Sequence, residues 1–210
     1  MKKDFFICGI DEAGRGPVVG PLVISSVYIK ALDIPKLIKI GVRDSKSLSS
    51  SKREKIYDKV LDITDSLYII ISPSQIDKWV LEKEGLNALE AFTISKLLTP
   101  IIERLNKIFI DAPSTPTSFN TYLESFGVPS EKVVAEPKAD LRRPVVGAAS
   151  IVAKVIRDRE IEKISQELGF SIGSGYPSSP TTLQKLPTIL EKRPEYVRKS
   201  WKTLKRLGLR

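Results

Sequence analysis

The stretch Phe5-Phe6-Ile7-Cys8-Gly9-Ile10-Asp11-Glu12-Ala13-Gly14-Arg15-Gly16-Pro17 decides how this chain is read. Residues 5–10 are apolar and rich in aromatic and β-branched side chains, the composition of a strand. Two acids, Asp11 and Glu12, stand where that run stops. Residues 12–17 then read as a turn, punctuated by two glycines and a proline. A second apolar run over 19–29 predicts another strand, close enough to the first for antiparallel pairing.

Working outward, residues 66–72, 107–110 and 132–135 carry the same strand signature, each bounded by Gly, Pro or Asp. Helical periodicity occupies 51–63, where Ile56, Val60 and Ile63 share one side, and recurs over 86–98 and 118–126. The clearest helix is 148–164, behind Pro144, with Ile151, Val152, Val155 and Ile156 ahead of the charged run Arg157-Asp158-Arg159-Glu160. Two strands joined through a helix make a β-α-β unit, so 107–110 and 132–135 are predicted to run parallel. The expected fold is α/β: a mixed five-stranded sheet flanked by helices, forming one main domain over residues 1–170. Beyond it Pro177, Pro180, Pro187 and Pro194 interrupt helical pieces. Residues 171–210 are therefore expected as a small basic helical extension packed on that domain.

Composition narrows the chemistry. Among 210 residues there is no histidine and one cysteine, Cys8. The Ser-His-Asp triad, the Cys-His dyad and histidine acid–base catalysis are excluded within the chain. So are an internal disulfide and any multi-cysteine metal site. A metal here would be held by oxygen, which favours Mg²⁺, Mn²⁺ or Ca²⁺. No apolar run is long enough to span a bilayer, and Asp4 and Asp11-Glu12 interrupt any imitation of a signal peptide. A membrane partner is not expected, and cytoplasmic placement is.

The net charge of +9 is concentrated at one end. Residues 181–210 hold nine basic residues against two acids, interleaved with Tyr196 and Trp201. A block of this kind attracts polyanions, or else forms a solvated helix face. Lys199, Lys202 and Arg206 are its candidate duplex-binding residues.

Three acidic positions stand at strand ends: Asp11-Glu12, Asp111 after Ile108-Phe109-Ile110, and Asp140 after Lys138-Ala139, just ahead of the long helix. In open α/β sheets ligands bind beyond strand ends. Converging carboxylates would repel by roughly 4 kcal/mol per pair at an effective dielectric near 20, and a divalent cation would relieve that. Asp at a strand end is equally a turn former and helix cap. Adjacent Asp11 and Glu12 would also face opposite ways in a continuous strand, so sharing one site requires the strand to end or bulge there.

Gly14-Arg15-Gly16 is either a plain connection or a close backbone approach to a phosphate or sugar, with Arg15 as a charged donor. It lacks the Gly-Lys-Ser/Thr ending of a P-loop. Asp44-Ser45-Lys46 reads as a helix entry or as a lysine reaching a phosphate. Tyr176, in Gly173-Ser174-Gly175-Tyr176-Pro177, is a packing residue or an aromatic that meets nucleic acid. The small run Gly147-Ala148-Ala149-Ser150 allows close helix–sheet contact.

Taken in order, Asp11-Glu12-Ala13-Gly14-Arg15-Gly16-Pro17, Asp44-Ser45-Lys46, Ile110-Asp111, Lys138-Ala139-Asp140, Ala148-Ala149-Ser150-Ile151-Val152-Ala153-Lys154 with Arg157-Asp158, and Gly173-Ser174-Gly175-Tyr176-Pro177 resemble ribonuclease HII over nearly the whole chain. Arg198-Lys199-Ser200-Trp201-Lys202-Thr203 resembles the branch shared by archaeal and eukaryotic catalytic subunits. The resemblance implies a ribonuclease H-like fold and a two-metal endonuclease using Mg²⁺ or Mn²⁺. Its substrates would be RNA–DNA hybrids and DNA duplexes with embedded ribonucleotides, cut to 3′-hydroxyl and 5′-phosphate ends. It implies that Asp11, Glu12, Asp111 and Asp140 are the catalytic metal-binding carboxylates. Gly14, Arg15 and Gly16 would sense the ribose 2′-hydroxyl, Tyr176 would pack on the sugar at the RNA-to-DNA junction, and Lys46 would contact substrate. A monomer is expected, with a replication clamp or accessory subunits as further partners. Two positions depart from the family pattern: Gly147 replaces a usual Ser, and Arg143 replaces an aromatic before Pro144. The rival readings are a resolvase- or integrase-like nuclease of the same fold, and a non-catalytic nucleic-acid-binding module.

Overall fold

The computed structural model of the chain describes residues 4–42 and 49–209. Its centre is the five-stranded mixed sheet that the sequence pattern predicts. The strands are β1 (Phe6–Ala13), β2 (Leu22–Lys30), β3 (Asp65–Ile71), β4 (Lys107–Asp111) and β5 (Val133–Glu136), in the spatial order β3-β2-β1-β4-β5. β2 pairs antiparallel with β1 and β3, while β4 lies parallel to both β1 and β5.

Two strand boundaries differ from the expectation by more than one residue. β1 does not stop at Ile10. Asp11, Glu12 and Ala13 continue the ladder opposite Ser25, Ile24 and Val23, because β2 offers backbone partners along its whole length. β2 in turn starts at Leu22, not at residue 19. Gly20 takes φ +91°, outside strand geometry, and Val19 forms an isolated antiparallel bridge with Val197 instead.

Alternation along β1 assigns its side chains to two cores. Cys8 and Ile10 face α3 (Pro73–Glu82), α4 (Leu86–Leu98) and α5 (Pro116–Ser125), through Ile76, Leu89, Ile94 and Phe119. Ile7 and Ala13 face α1 (Ile34–Lys39), α2 (Ser50–Ile63) and α7 (Pro144–Leu168), through Leu37, Val60, Val145 and Ile151. α3 falls in no predicted element, although Ile76, Trp79 and Val80 recur at helical spacing and pack on the first core. A capping box starts it: Ser72 Oγ accepts from Gln75 N, and Gln75 Oε1 accepts from Ser72 N at 2.9 Å, with Pro73 in the first turn.

α7 is longer than the predicted 148–164. Pro144 sits in its first turn, and Gly169, at φ +75°, ends it in the left-handed conformation. Its first half is buried on nearly all sides, so the β-branched run is held by packing against the sheet rather than by helix propensity.

α6 (Ala139–Arg142) precedes α7; α8 (Pro180–Lys192) and α9 (Lys202–Arg206) follow it. α8 continues through Pro187. A third apolar cluster joins Ile172, Leu186, Ile189, Val197 and Leu204 to Val18, Val19 and the later part of α7, at Ile161 and Ile164. No helix among the described residues is long and apolar enough to cross a membrane.

Candidate active site

β1 and β4 are parallel neighbours, with Ile10 beside Ile110, so Asp11 and Asp111 emerge side by side at the same sheet edge. The third carboxylate arrives by a sharp reversal. Lys138 takes φ +57°, an unusual conformation for a residue with a side chain, and starts α6. Ala139 N then donates to Asp111 Oδ1 at 3.0 Å, which draws the adjacent Asp140 against the strand ends. One carboxylate oxygen from each of Asp11, Asp111 and Asp140 lies within 4.8 Å of the others.

The electrostatics follow from that crowding. Burial pushes the Asp11 carboxyl from its ordinary 3.8 up to about 7. The Ser150 hydroxyl opposes the shift, the Asp111 charge adds to it, and the Glu12 amide and Lys154 oppose it. Glu12 N donates to Asp11 Oδ1 at 2.8 Å. An all-oxygen set of three converging carboxylates suits a hard divalent cation, whose charge would offset the repulsion.

Glu12 stands outside that trio. Because β1 continues through both acids, alternation sends Glu12 to the other face of the sheet, towards Glu90 and Arg15 of the α4 side. Burial, then the charges of Asp11 and Glu90, hold its carboxyl well above the ordinary range, with Arg15 opposing. Glu12 also lines a cleft of about 290 Å³ with Gly14, Arg15, Lys154, Arg157 and Tyr176. The same cleft therefore gathers the glycine turn and the tyrosine.

Arg15 is not a loose cation. Its guanidinium donates to Glu90 of α4 and, at 2.5 Å, to Asn87 Oδ1. Tyr176 is half-buried, and the Arg157 guanidinium stacks 5.0 Å from its ring centre while donating to Ser174 O at 2.6 Å. Gly175, at φ +80°, brings that loop against the glycine turn: Gly175 O accepts from Val18 N at 2.9 Å, and a Cβ on Gly175 would fall 2.4 Å from Val19 O. Lys46 lies outside the described residues. Lys199, Lys202 and Arg206 are exposed in the C-terminal segment.

Several residues of the site carry no separate sequence signal. Ser150, Lys154 and Arg157 follow one another at helical spacing on α7 and face the site together. Arg157 is buried, although it heads the charged run Arg157-Asp158-Arg159-Glu160. Glu90 is 2% exposed within α4, and a lone acid between the apolar Leu89 and Ala91 on that helix is the signal that could have found it. Arg198, counted with the basic block, is fully buried. The two departures from the family pattern also have physical accounts. A Cβ at Gly147 would meet Val42 O at 2.8 Å and Asp140 O at 3.0 Å, so this chain packs tighter there than serine permits. Arg143 donates to Glu136 at 2.7 Å and covers the Phe109 ring, standing in for an aromatic neighbour.

The chain matches known proteins over nearly its whole length. The family model described as ribonuclease HII matches residues 8–204. A ribonuclease HII of Methanococcus maripaludis (strain C5) is 43% identical over 208 residues, covering 96% of this chain and 86% of that protein. The crystal structure of the ribonuclease H2 from Pyrococcus horikoshii OT3 is 39% identical, with a TM-score of 0.86 over 97% of each chain. The ribonuclease HII of Archaeoglobus fulgidus, solved in complex with PCNA, is 35% identical, with a TM-score of 0.83 over 94% of this chain and 95% of that one. On the match of sequence and structure over nearly its full length, the chain belongs to the ribonuclease HII family.

Proposed function

We propose that this chain is an endoribonuclease that hydrolyses the RNA strand of RNA–DNA hybrids and cuts at ribonucleotides embedded in duplex DNA. The observation that carries the reading is the convergence of Asp11, Asp111 and Asp140 beside a cleft lined by the glycine turn and Tyr176. Asp11, Asp111 and Asp140 would hold the cation, and Glu12, whose carboxyl feels the charges of both Asp11 and Asp111 from the opposite side of β1, would be a further ligand reaching round the strand end. Mg²⁺ or Mn²⁺ fits the oxygen donors. Held by these carboxylates, two such cations would make a bound water more acidic than bulk water and would supply positive charge for the attacking and leaving oxygens of an in-line displacement.

The chain's own groups do the rest. Backbone N–H groups of the 14–16 turn meet the ribose 2′-hydroxyl, the group that distinguishes RNA from DNA at one position. Arg157 fixes the Tyr176 ring from behind, and its outer face receives the next sugar. Lys154, next to Asp11, offsets negative charge at the carboxylates. Residues 171–210 act as a basic extension, with Lys199, Lys202 and Arg206 holding duplex phosphates and Lys46 a further contact. A sliding clamp is a candidate partner, by analogy with the PCNA complex of the Archaeoglobus relative.

The test is cleavage of a DNA duplex with one ribonucleotide, beside an all-DNA control, with Mg²⁺ or Mn²⁺ and then with chelator, for wild type and Asp111→Asn. Cutting confined to the ribonucleotide strand, and lost with chelator or mutation, is expected. Cutting of all-DNA duplex would turn the reading towards a resolvase-like nuclease. Duplex binding without cutting of this substrate or a long hybrid would turn it towards a binding module.

A further inference from the structure

The 14–16 turn is gripped from behind by a segment more than 180 residues away in sequence. Arg198 donates from Nη2 to Gly14 O at 2.6 Å, from Nη1 to Arg15 O at 3.0 Å and from Nε to Gly20 O at 3.0 Å. Trp201 Nε1 donates to Gly16 O at 3.1 Å, so three consecutive carbonyls are taken. The grip is itself braced. The Trp201 ring lies 4.8 Å from the Arg198 guanidinium. Asp77 of α3 accepts from Lys199 N and Ser200 N at 2.8 Å and from Ser200 Oγ at 2.6 Å. From the other side, Glu90 and Asn87 of α4 hold the Arg15 side chain.

Peptide planarity turns this grip into an aiming device. Each carbonyl and the N–H of the next residue lie in one plane and point opposite ways. Holding Gly14 O and Arg15 O inward therefore directs the Arg15 and Gly16 N–H groups outward. Pro17 has no N–H, so those two are the donors the turn aims. Gly16 is the exposed member, and a Cβ built on it would lie 3.5 Å from Tyr176 Cε1, which places the outward edge of the turn against the tyrosine. A fully buried guanidinium bound to three backbone carbonyls is expensive to desolvate, and a turn that only needed tethering could use a single neutral donor.

We propose that Arg198, together with Trp201, is a positioning residue for sugar selection: by clamping the carbonyls of Gly14, Arg15 and Gly16 it fixes the direction of the donors that meet the ribose 2′-hydroxyl. This rests on the reading that the 14–16 turn senses that hydroxyl.

The test uses the full chain and compares kcat/KM on two duplexes that differ only at the scissile nucleotide, a ribonucleotide against its 2′-fluoro analogue, with Mn²⁺. Three variants are measured, Arg198→Lys, Trp201→Phe and Gly16→Ala, together with the Mn²⁺ concentration for half-maximal rate. Trp201→Phe keeps the ring over Arg198 and removes one donor, so it carries the test should Arg198→Lys fail to fold. The preference for the ribonucleotide should fall about fivefold in Trp201→Phe, the scale of one lost neutral hydrogen bond, and further in Arg198→Lys, with the Mn²⁺ dependence unchanged. If both variants slow the two substrates in parallel while Gly16→Ala alters the preference, the clamp is merely structural and the proposal fails, though the turn still senses the sugar. If Gly16→Ala leaves the preference unchanged as well, the sugar-sensing reading itself fails.

Discussion

Gly9 of β1 and Val145 of α7 meet backbone to backbone: a methyl on Gly9 would lie 2.3 Å from the Val145 carbonyl carbon and 2.4 Å from its oxygen. Val145 is in the first turn of α7, five residues after Asp140, and Gly9 is two residues before Asp11. The approach thus sets how near α6 and Ser150 come to the end of β1. Backbone cannot rotate out of the way as a side chain can. Gly9→Ala is expected to destabilise the fold by about 1–3 kcal/mol, the usual cost of overpacking. It should also lower activity at temperatures where the variant is still folded. Denaturant unfolding checks the first outcome, and a midpoint equal to wild type would contradict it.

Asp111→Asn separates chemistry from folding. An asparagine keeps an oxygen that can accept from Ala139 N, so the α6 reversal should survive. What it removes is one charge of the carboxylate trio. Activity should fall at least about a hundredfold, on the scale of losing one main electrostatic stabiliser. Thermal unfolding in chelator should stay close to wild type. A large loss of stability in chelator would instead mean that the Asp111 charge is structural.

Divalent-ion stabilisation should depend on pH in a stated direction. The Asp11 carboxyl titrates near 7 in the folded, metal-free protein and near its ordinary 3.8 when unfolded. Between those values the folded state holds the extra proton, so metal-free stability falls as pH rises through the window and the penalty is complete above about 7. A cation competes with that proton. The rise in Tm on adding Mn²⁺ or Mg²⁺ should be larger at pH 8 than at pH 5.5, and nearly absent in Asp111→Asn. Equal shifts at the two pH values would show that Asp11 is not a ligand.

How much of this was legible in the sequence depended on whether a residue's role was local. The strand patterns that build the sheet are local and legible, and Asp111 does close β4, whereas Asp11 and Glu12 lie inside β1 and Asp140 lies in α6. The end of β1 was not legible, because whether Asp11-Glu12-Ala13 pair is decided by Ser25, Ile24 and Val23 on another strand. That same continuation parts Glu12 from the trio. Nor does sequence distinguish a buried arginine from an exposed one. Arg157 and Arg198 both stand in charged runs, and only the carbonyls brought to them by the folded turns, Ser174 O, Gly14 O and Arg15 O, give them interior partners. α3 is legible in Ser72-Pro73 and Gln75 at its start and in the helical spacing of Ile76, Trp79 and Val80, and only the strand β3 running directly into it hides its boundary.

The basic C-terminal block is accordingly smaller as a binding surface than its composition suggests. Arg198 is inside, and Arg193 is engaged by Glu195, Glu167 and Tyr196. Lys199, Lys202 and Arg206 remain exposed. If they touch duplex phosphates, each contact releases counterions and contributes about 0.9 to the slope of log affinity against log salt concentration. Replacing all three by alanine should weaken hybrid binding and reduce that slope by roughly 2 to 3. Because contact with phosphate carries no sequence or sugar information, the preference for a ribonucleotide over deoxyribonucleotide should be unchanged. A control triple at the exposed Lys36, Lys39 and Lys59 removes the same charge from α1 and α2. Long-range attraction alone would make the two triples equivalent. A loss of slope confined to the C-terminal triple would locate the duplex there, and an unchanged slope would remove this segment from the binding surface.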